Sequence, residues 1–470
     1  MGTEAGNTIV PEQSAGHSGI AVVGNIAVVR RVDWCDRLCF AITTALVFAI
    51  YLFTLAPNVP LDWSGIFSTG AMYGGVPFSG GYPAWTIYAL AFAKFVPFGN
   101  VAWRVNLSSA VAAAVACGLI AMIVSYVGKL THEGFDVFSR SGAREQKLIR
   151  WTCGYVAGVA FGLSGAVWGK ALIGEFWALG ALLFAGGLWL FTRWFFEPVN
   201  RWRLYGTFLL TGLLLTNNQE LLLVLPALVV GVALAEERLG RDCGLVFLPL
   251  AAVLTAWCQW WLWIEFPSSP NWPVLVAFAG AIVVGAAIAC KTRCVGSELK
   301  AAALSLLALC IGLTLNFYVP LASMTTPPVN WGYPRTADGF LNTIGRGQFE
   351  RPEPTRDFVM VAQQLWWFVK LLSKDFGVIY LPFAAVPIMF FRSVTRFGWR
   401  WLVALVTLFV CVGVAMVAML NPQSTTSDIK LLRPYFICSY AVMACMCGVG
   451  LIQAARFVVR RKPSAGQTAD

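Results

Sequence analysis

Apolar residues in this chain neither alternate at the period of a strand nor keep to one helix face; they fill long runs between short polar breaks. A hydrocarbon core about 30 Å thick is crossed by about 20 apolar helical residues, so these runs read as membrane helices. They predict about twelve spans, near Leu38 to Ala56, Val105 to Val127, Trp151 to Trp168, Ala171 to Phe191, Leu204 to Thr216, Leu221 to Ala235, Gly244 to Ile264, Val274 to Cys290, Ala301 to Ala322, Phe376 to Phe391, Trp401 to Leu420 and Tyr435 to Ala455. The fold class is therefore all-α, a polytopic transmembrane helical bundle. Ala84 to Val96 is apolar but too short to cross and is bounded by Pro83 and Pro97. It is expected to lie along the interface within the first outer loop.

Composition agrees, with 58% hydrophobic and only 12% charged residues where a soluble domain carries about 25% charged. No polar interval is long enough for a separate soluble catalytic domain. The net charge of +11 raises the question of nucleic acid, but the positions of the charges answer it differently. With the N-terminus inside, 23 of the 34 Lys and Arg fall on the inner side and 11 on the outer, the asymmetry of cytoplasmic loops. The excess therefore reports orientation and attraction to anionic membrane lipid, with no nucleic-acid partner expected. Residues 1–30 read as a disordered cytoplasmic tail, 31–456 as the membrane domain and 457–470 as a basic cytoplasmic tail. The plan fits a multi-pass protein of a bacterial cytoplasmic membrane with both termini cytoplasmic. None of the thirteen cysteines falls in an outer loop, and the two histidines, His17 and His132, belong to inner segments. Neither an outer disulfide framework nor a zinc site is expected.

Several outer motifs carry a resemblance. Thr54-Leu55-Ala56-Pro57, Trp63-Ser64-Gly65, Gly75-Val76-Pro77, Gly81-Tyr82-Pro83 and Pro97 to Asn106 are followed by Glu175-Phe176-Trp177-Ala178-Leu179, by Asn217 with Pro226-Ala227-Leu228, and by Tyr318-Val319-Pro320-Leu321 with Pro327 to Thr336. In order and spacing, over roughly 45–348, they resemble the DUF2723 family of GT-C membrane glycosyltransferases, which are related to protein O-mannosyltransferases. The resemblance implies a GT-C-like bundle and inverting transfer of a sugar from a polyprenyl-phosphate carrier, without a further cofactor, to a protein or glycan acceptor on the outer face. The chain departs from the family where its first loop reads Asp62-Trp63-Ser64-Gly65-Ile66 in place of Trp-Asp-Ser-Gly-Glu. Phe78-Ser79-Gly80-Gly81 stands for His-Pro-Pro-Gly, and Asn218 for a His beside Asn217.

Glycosyl transfer needs a group to take the proton of the attacking hydroxyl and donors to hold the departing phosphate. With no outer histidine or cysteine, the base is expected to be a carboxylate, Asp62 with Glu175 as its helper, and Glu220 is the next acid. Arg335 has the fork suited to phosphate, with Arg104, Lys170 and Arg346 as competitors. Tyr82, Asn217, Asn330 and Trp331 complete the expected substrate contacts. Each has a plainer role beside it. Asp62 can cap a helix starting near Ser64, Glu175 can pair with Lys170, Asn217 to Glu220 can simply reverse the chain, and Arg335 can pair with Asp338. No outer Asp-x-Asp offers a metal site. Two other functions remain open: a non-catalytic relative that binds lipid-linked sugar, and a transporter or flippase.

Overall fold

The computed structural model describes residues 32–60, 63–130, 143–247, 296–348, 357–390, 394–422 and 431–461, with isolated positions between 279 and 291 and at 354–355. Among the described residues the structure is helical, apart from one parallel bridge between Val76 and Asn330. Six helices are long and apolar enough to cross a membrane: Trp34–Thr54, Val101–Leu130, Trp177–Phe196, Leu299–Met324, Arg396–Leu420 and Arg433–Val459. Phe358–Phe376 and Leu381–Met389, bent by 111° at their junction, make a seventh if taken as one broken span. The chain is a multi-pass membrane protein.

Twelve crossings are not shown. The expected spans Gly244 to Ile264 and Val274 to Cys290 fall largely outside the described residues, as do the tails 1–30 and 462–470. Ala143–Leu163, Arg201–Asn217 and Gln219–Ala235 are helices, but shorter or more charged than a simple span. The stretch between the expected spans Ala301 to Ala322 and Phe376 to Phe391 holds the 19-residue helix Phe358–Phe376. Its buried Gln364, Trp367, Phe368 and Leu371 follow the three-to-four spacing of an amphipathic face, whereas Lys370, Lys374 and Asp375 lower its average hydrophobicity.

Val101–Leu130 lies at the centre of the bundle together with Arg433–Val459; 78% and 89% of their most apolar stretches are buried, against 22% for Trp34–Thr54. Small residues let the neighbours of Val101–Leu130 approach, as packing between apolar helices in lipid requires. A β-carbon added at Gly158 would stand 2.6 Å from the Cys117 carbonyl oxygen, so only glycine fits there.

Polar contacts gather at the two ends. At one end Asp33 caps the first helix reciprocally with Asp36, Arg150 Nη2 donates to Asp33 Oδ2 at 3.0 Å, and Ser125 Oγ donates to Asp36 Oδ1 at 2.6 Å. Arg456 donates to the Gly128 carbonyl at 2.9 Å beside them. At the other end, one side chain ties three segments. Asn106 Nδ2 donates to the Ala56 carbonyl at 2.8 Å, and its Oδ1 accepts from the Gly174 amide at 2.7 Å.

Candidate active site at the end opposite Arg150

The first loop is built from two short helices, Ser64–Tyr73 and Pro83–Phe95. Pro83 opens the second at a position where its missing N–H costs nothing, and the boundaries match the expected interfacial helix. Between them the chain turns back at Gly74 and is held by the 318–348 segment. The Val76 amide donates to the Val329 carbonyl and the Trp331 amide to the Val76 carbonyl, both at 3.0 Å. The Gly80 amide donates to the Thr343 carbonyl at 2.8 Å and the Tyr318 hydroxyl to the Gly74 carbonyl at 2.7 Å. The close approach demands glycine at position 75, where a β-carbon would collide with the Val329 carbonyl oxygen.

Aromatic rings continue this docking inward. Trp331 lies 4.9 Å from Phe78, which lies 6.2 Å from Phe67; Phe67 is 5.9 Å from Tyr82, and Tyr82 stacks on Phe176 at 4.0 Å and 14°. Phe176 then meets Trp177 at 4.4 Å, and Trp177 meets Tyr435 at 4.8 Å. The line of rings joins residues far apart in sequence into one rigid wall.

Charged groups cluster along that wall. Lys170 Nζ is 2.8 Å from Glu175 Oε2, with Glu175 almost fully buried and Lys170 one-fifth exposed. Arg346 Nη2 donates to Glu220 Oε2 at 3.3 Å and to the Tyr82 hydroxyl at 3.2 Å, and Tyr435 lies beside the same guanidinium. Asn218 Nδ2 donates to Glu220 Oε1 at 2.8 Å, and Asn217 Nδ2 donates to the Phe176 carbonyl at 2.9 Å. Burial raises the pKa of Tyr82 above its ordinary value, against the pull of Arg346. Burial disfavours the charge of Arg346, but Tyr82 and Glu220 beside it hold its pKa above the ordinary value.

The expected residues thus divide. Glu175, Lys170, Glu220, Asn217 and Tyr82 come together, and Trp331 anchors the wall, its indole N–H bonded to Gln348. Asn330 donates to the Ser323 carbonyl at 3.3 Å and shapes the docked segment. Arg104 is turned instead to the Phe98, Gly99 and Ala93 carbonyls, each at 3.1 Å, closing the turn after Pro83–Phe95. Arg335 is exposed, with its guanidinium 5.9 Å from the Tyr333 ring. Asp62 lies outside the described residues; the helix that follows starts with Trp63 at its cap position and no side-chain cap. Arg346, expected as a competitor of Arg335, joins the cluster where Arg335 does not, and Tyr435 was not foreseen because it opens an apolar run and resembles an interfacial anchor. Among the described residues no three His, Cys, Asp or Glu converge on a metal position.

A separate small apolar cavity within the bundle is lined by Leu183, Phe191, Leu228, Trp401 and Thr211, without a charged group.

Comparison with known proteins follows this geometry. Residues 64–239 match the family model of the protein O-mannosyl-transferase TMEM260 N-terminal domain. Protein O-mannosyl-transferase TMEM260 of Mus musculus is 37% identical over 101 residues, covering 20% of this chain and 14% of the mouse protein. No solved structure matches the chain. The matched region holds Tyr82, Lys170, Glu175, Asn217 and Glu220 and stops short of Asn330 and Arg346, so the chain is similar to an O-mannosyl-transferase over the part of the site that the helices from Ser64–Tyr73 to Arg201–Asn217 and the turn at Gln219–Leu223 supply.

Proposed function

We propose that this protein is an integral-membrane glycosyltransferase of GT-C type that moves a sugar, with mannose first among the candidates, from a polyprenyl-phosphate carrier to a protein or glycan acceptor on the outer face. The observation that carries the reading is the meeting of two buried carboxylates, two cations and a wall of aromatic rings at one end of a membrane bundle, within and beside the region similar to an O-mannosyl-transferase. The acceptor oxygen attacks the anomeric carbon, the bond from that carbon to the phosphate oxygen breaks, and the hydroxyl proton passes to a carboxylate. One displacement of this kind inverts the anomeric configuration.

Glu175 and Asp62 are the candidate bases, and Lys170 the cation for the leaving phosphate. Their pairing suits the chemistry, because a phosphate that draws the Lys170 ammonium to itself frees Glu175 to accept a proton. Arg104, engaged with three carbonyls, and Arg335, exposed beside Tyr333, are less well supplied for this role.

The test is purified protein with labelled polyprenyl-phosphate sugars and candidate acceptors. Label on an acceptor supports the proposal. Binding of the lipid-linked sugar without transfer favours a non-catalytic relative, and movement across vesicles without transfer favours a flippase.

A further inference from the structure

We infer that the Glu220–Arg346 pair reads the hydroxyl groups of the sugar itself, distinct from the Lys170–Glu175 pair that meets the phosphate; this rests on the glycosyl-transfer reading. The first ground is charge. Glu220 and Arg346 neutralise each other at 3.3 Å, with Glu220 side-chain exposure of 8% and Arg346 of 27%. A pyranose is neutral and its hydroxyls both donate and accept, so a carboxylate beside a guanidinium offers it both kinds of partner with no net charge to compensate.

The second ground is unused hydrogen-bonding capacity. Each oxygen of Glu220 accepts one bond, from Asn218 and from Arg346, and a carboxylate oxygen has room for another. Arg346 Nε and Asn217 Oδ1 are buried and have no hydrogen-bond partner among the described residues, which is costly unless a ligand supplies one. A vicinal diol matches this set, donating to the carboxylate and accepting from the guanidinium. The third ground is the neighbouring wall. Trp177 and Tyr435 are half-buried, 4.8 Å apart and steeply inclined, giving an apolar surface for the C–H face of a pyranose beside polar groups for its hydroxyls.

The experiment measures binding of three probes to full-length protein in vesicles: polyprenyl phosphate without sugar, polyprenyl-phosphate mannose, and its C2 epimer polyprenyl-phosphate glucose. Proteins compared are the wild type, Glu220→Gln and the double variant Glu220→Gln with Arg346→Gln, which removes both charges so that neither is stranded. The expected result is a wild-type preference for one hexose that falls about 10- to 100-fold in both variants, as loss of a charge-assisted hydrogen bond implies, while affinity for bare polyprenyl phosphate stays within about twofold. Unchanged hexose preference in the variants overturns the inference and leaves glycosyl transfer standing. Loss of bare-lipid affinity together with the preference also overturns it, since the pair then serves the phosphate or the fold. A wild type that binds none of the probes removes the glycosyl-transfer reading and this inference with it.

Discussion

Replacing Glu175 by Gln keeps the size of the side chain and removes its charge and basicity. The structure separates two consequences. In the resting protein Lys170 loses a carboxylate at 2.8 Å in a setting where the acid is 4% exposed and the ammonium 20%; a charge-assisted hydrogen bond of this kind is worth about 1.5–3 kcal/mol. That loss should appear as a lower unfolding temperature, moderated because the Gln amide oxygen can still accept from Lys170. In the reaction, removal of a general base costs about 100- to 10,000-fold in rate, or about 2.7–5.4 kcal/mol of barrier at 1.36 kcal/mol per tenfold. The assay is transfer of labelled sugar from polyprenyl-phosphate donor in proteoliposomes, with kcat and donor KM measured separately and unfolding followed by circular dichroism. The expected outcome is a kcat fall of at least about 100-fold with a small change in KM. A variant that unfolds earlier yet keeps half or more of the wild-type kcat would refute the catalytic reasoning and leave Glu175 as a structural partner of Lys170.

Other expectations follow from the same contacts. Asp62→Asn should lower kcat about 100-fold or more if Asp62 shares the proton, and full activity assigns that work elsewhere. Arg150→Leu leaves the buried Asp36 at the opposite end without its cation, while Asp33 keeps Lys129, and should destabilise by about 3–5 kcal/mol, read as lost thermal stability without a specific change in donor KM. Asn106→Ala removes bonds to the Ala56 carbonyl and the Gly174 amide and should cost about 1–3 kcal/mol, seen in the unfolding temperature. Cysteines introduced at positions 62 and 147 should label from opposite sides of a sealed vesicle; labelling from the same side contradicts the charge-based orientation.

The parts of this architecture that the sequence announces are those where hydrophobicity alone decides. Trp34–Thr54, Val101–Leu130 and Arg433–Val459 are uninterrupted apolar runs, and proline marks the start of Pro83–Phe95. Phe358–Phe376 is hidden because Lys370, Lys374 and Asp375 fall within its last two turns and lower the average to that of a loop, although Asp375 is buried against Arg433 and Tyr440. At the site, the five-residue separation of Lys170 and Glu175 across one turn foretells their ion pair. Arg346 and Tyr435 reach the same site only through tertiary packing: Arg346 follows a short helix, Ala337–Ile344, docked through the Gly80 to Thr343 contact, and Tyr435 opens the last span. No local pattern encodes that meeting. Arg335 illustrates the converse, a cation inside a recognisable motif whose side chain turns outward.

The most direct measurement of the central claim is transfer by the reconstituted full-length protein, compared with the double variant Glu175→Gln, Glu220→Gln, using polyprenyl-phosphate mannose and a serine- and threonine-rich peptide acceptor. The account predicts mannose covalently attached to a peptide hydroxyl, detected by mass spectrometry, with wild-type protein, and none above background with the double variant. Wild-type protein that is folded and binds the lipid-linked sugar, yet leaves peptide, glycan and lipid acceptors all unmodified, would contradict it.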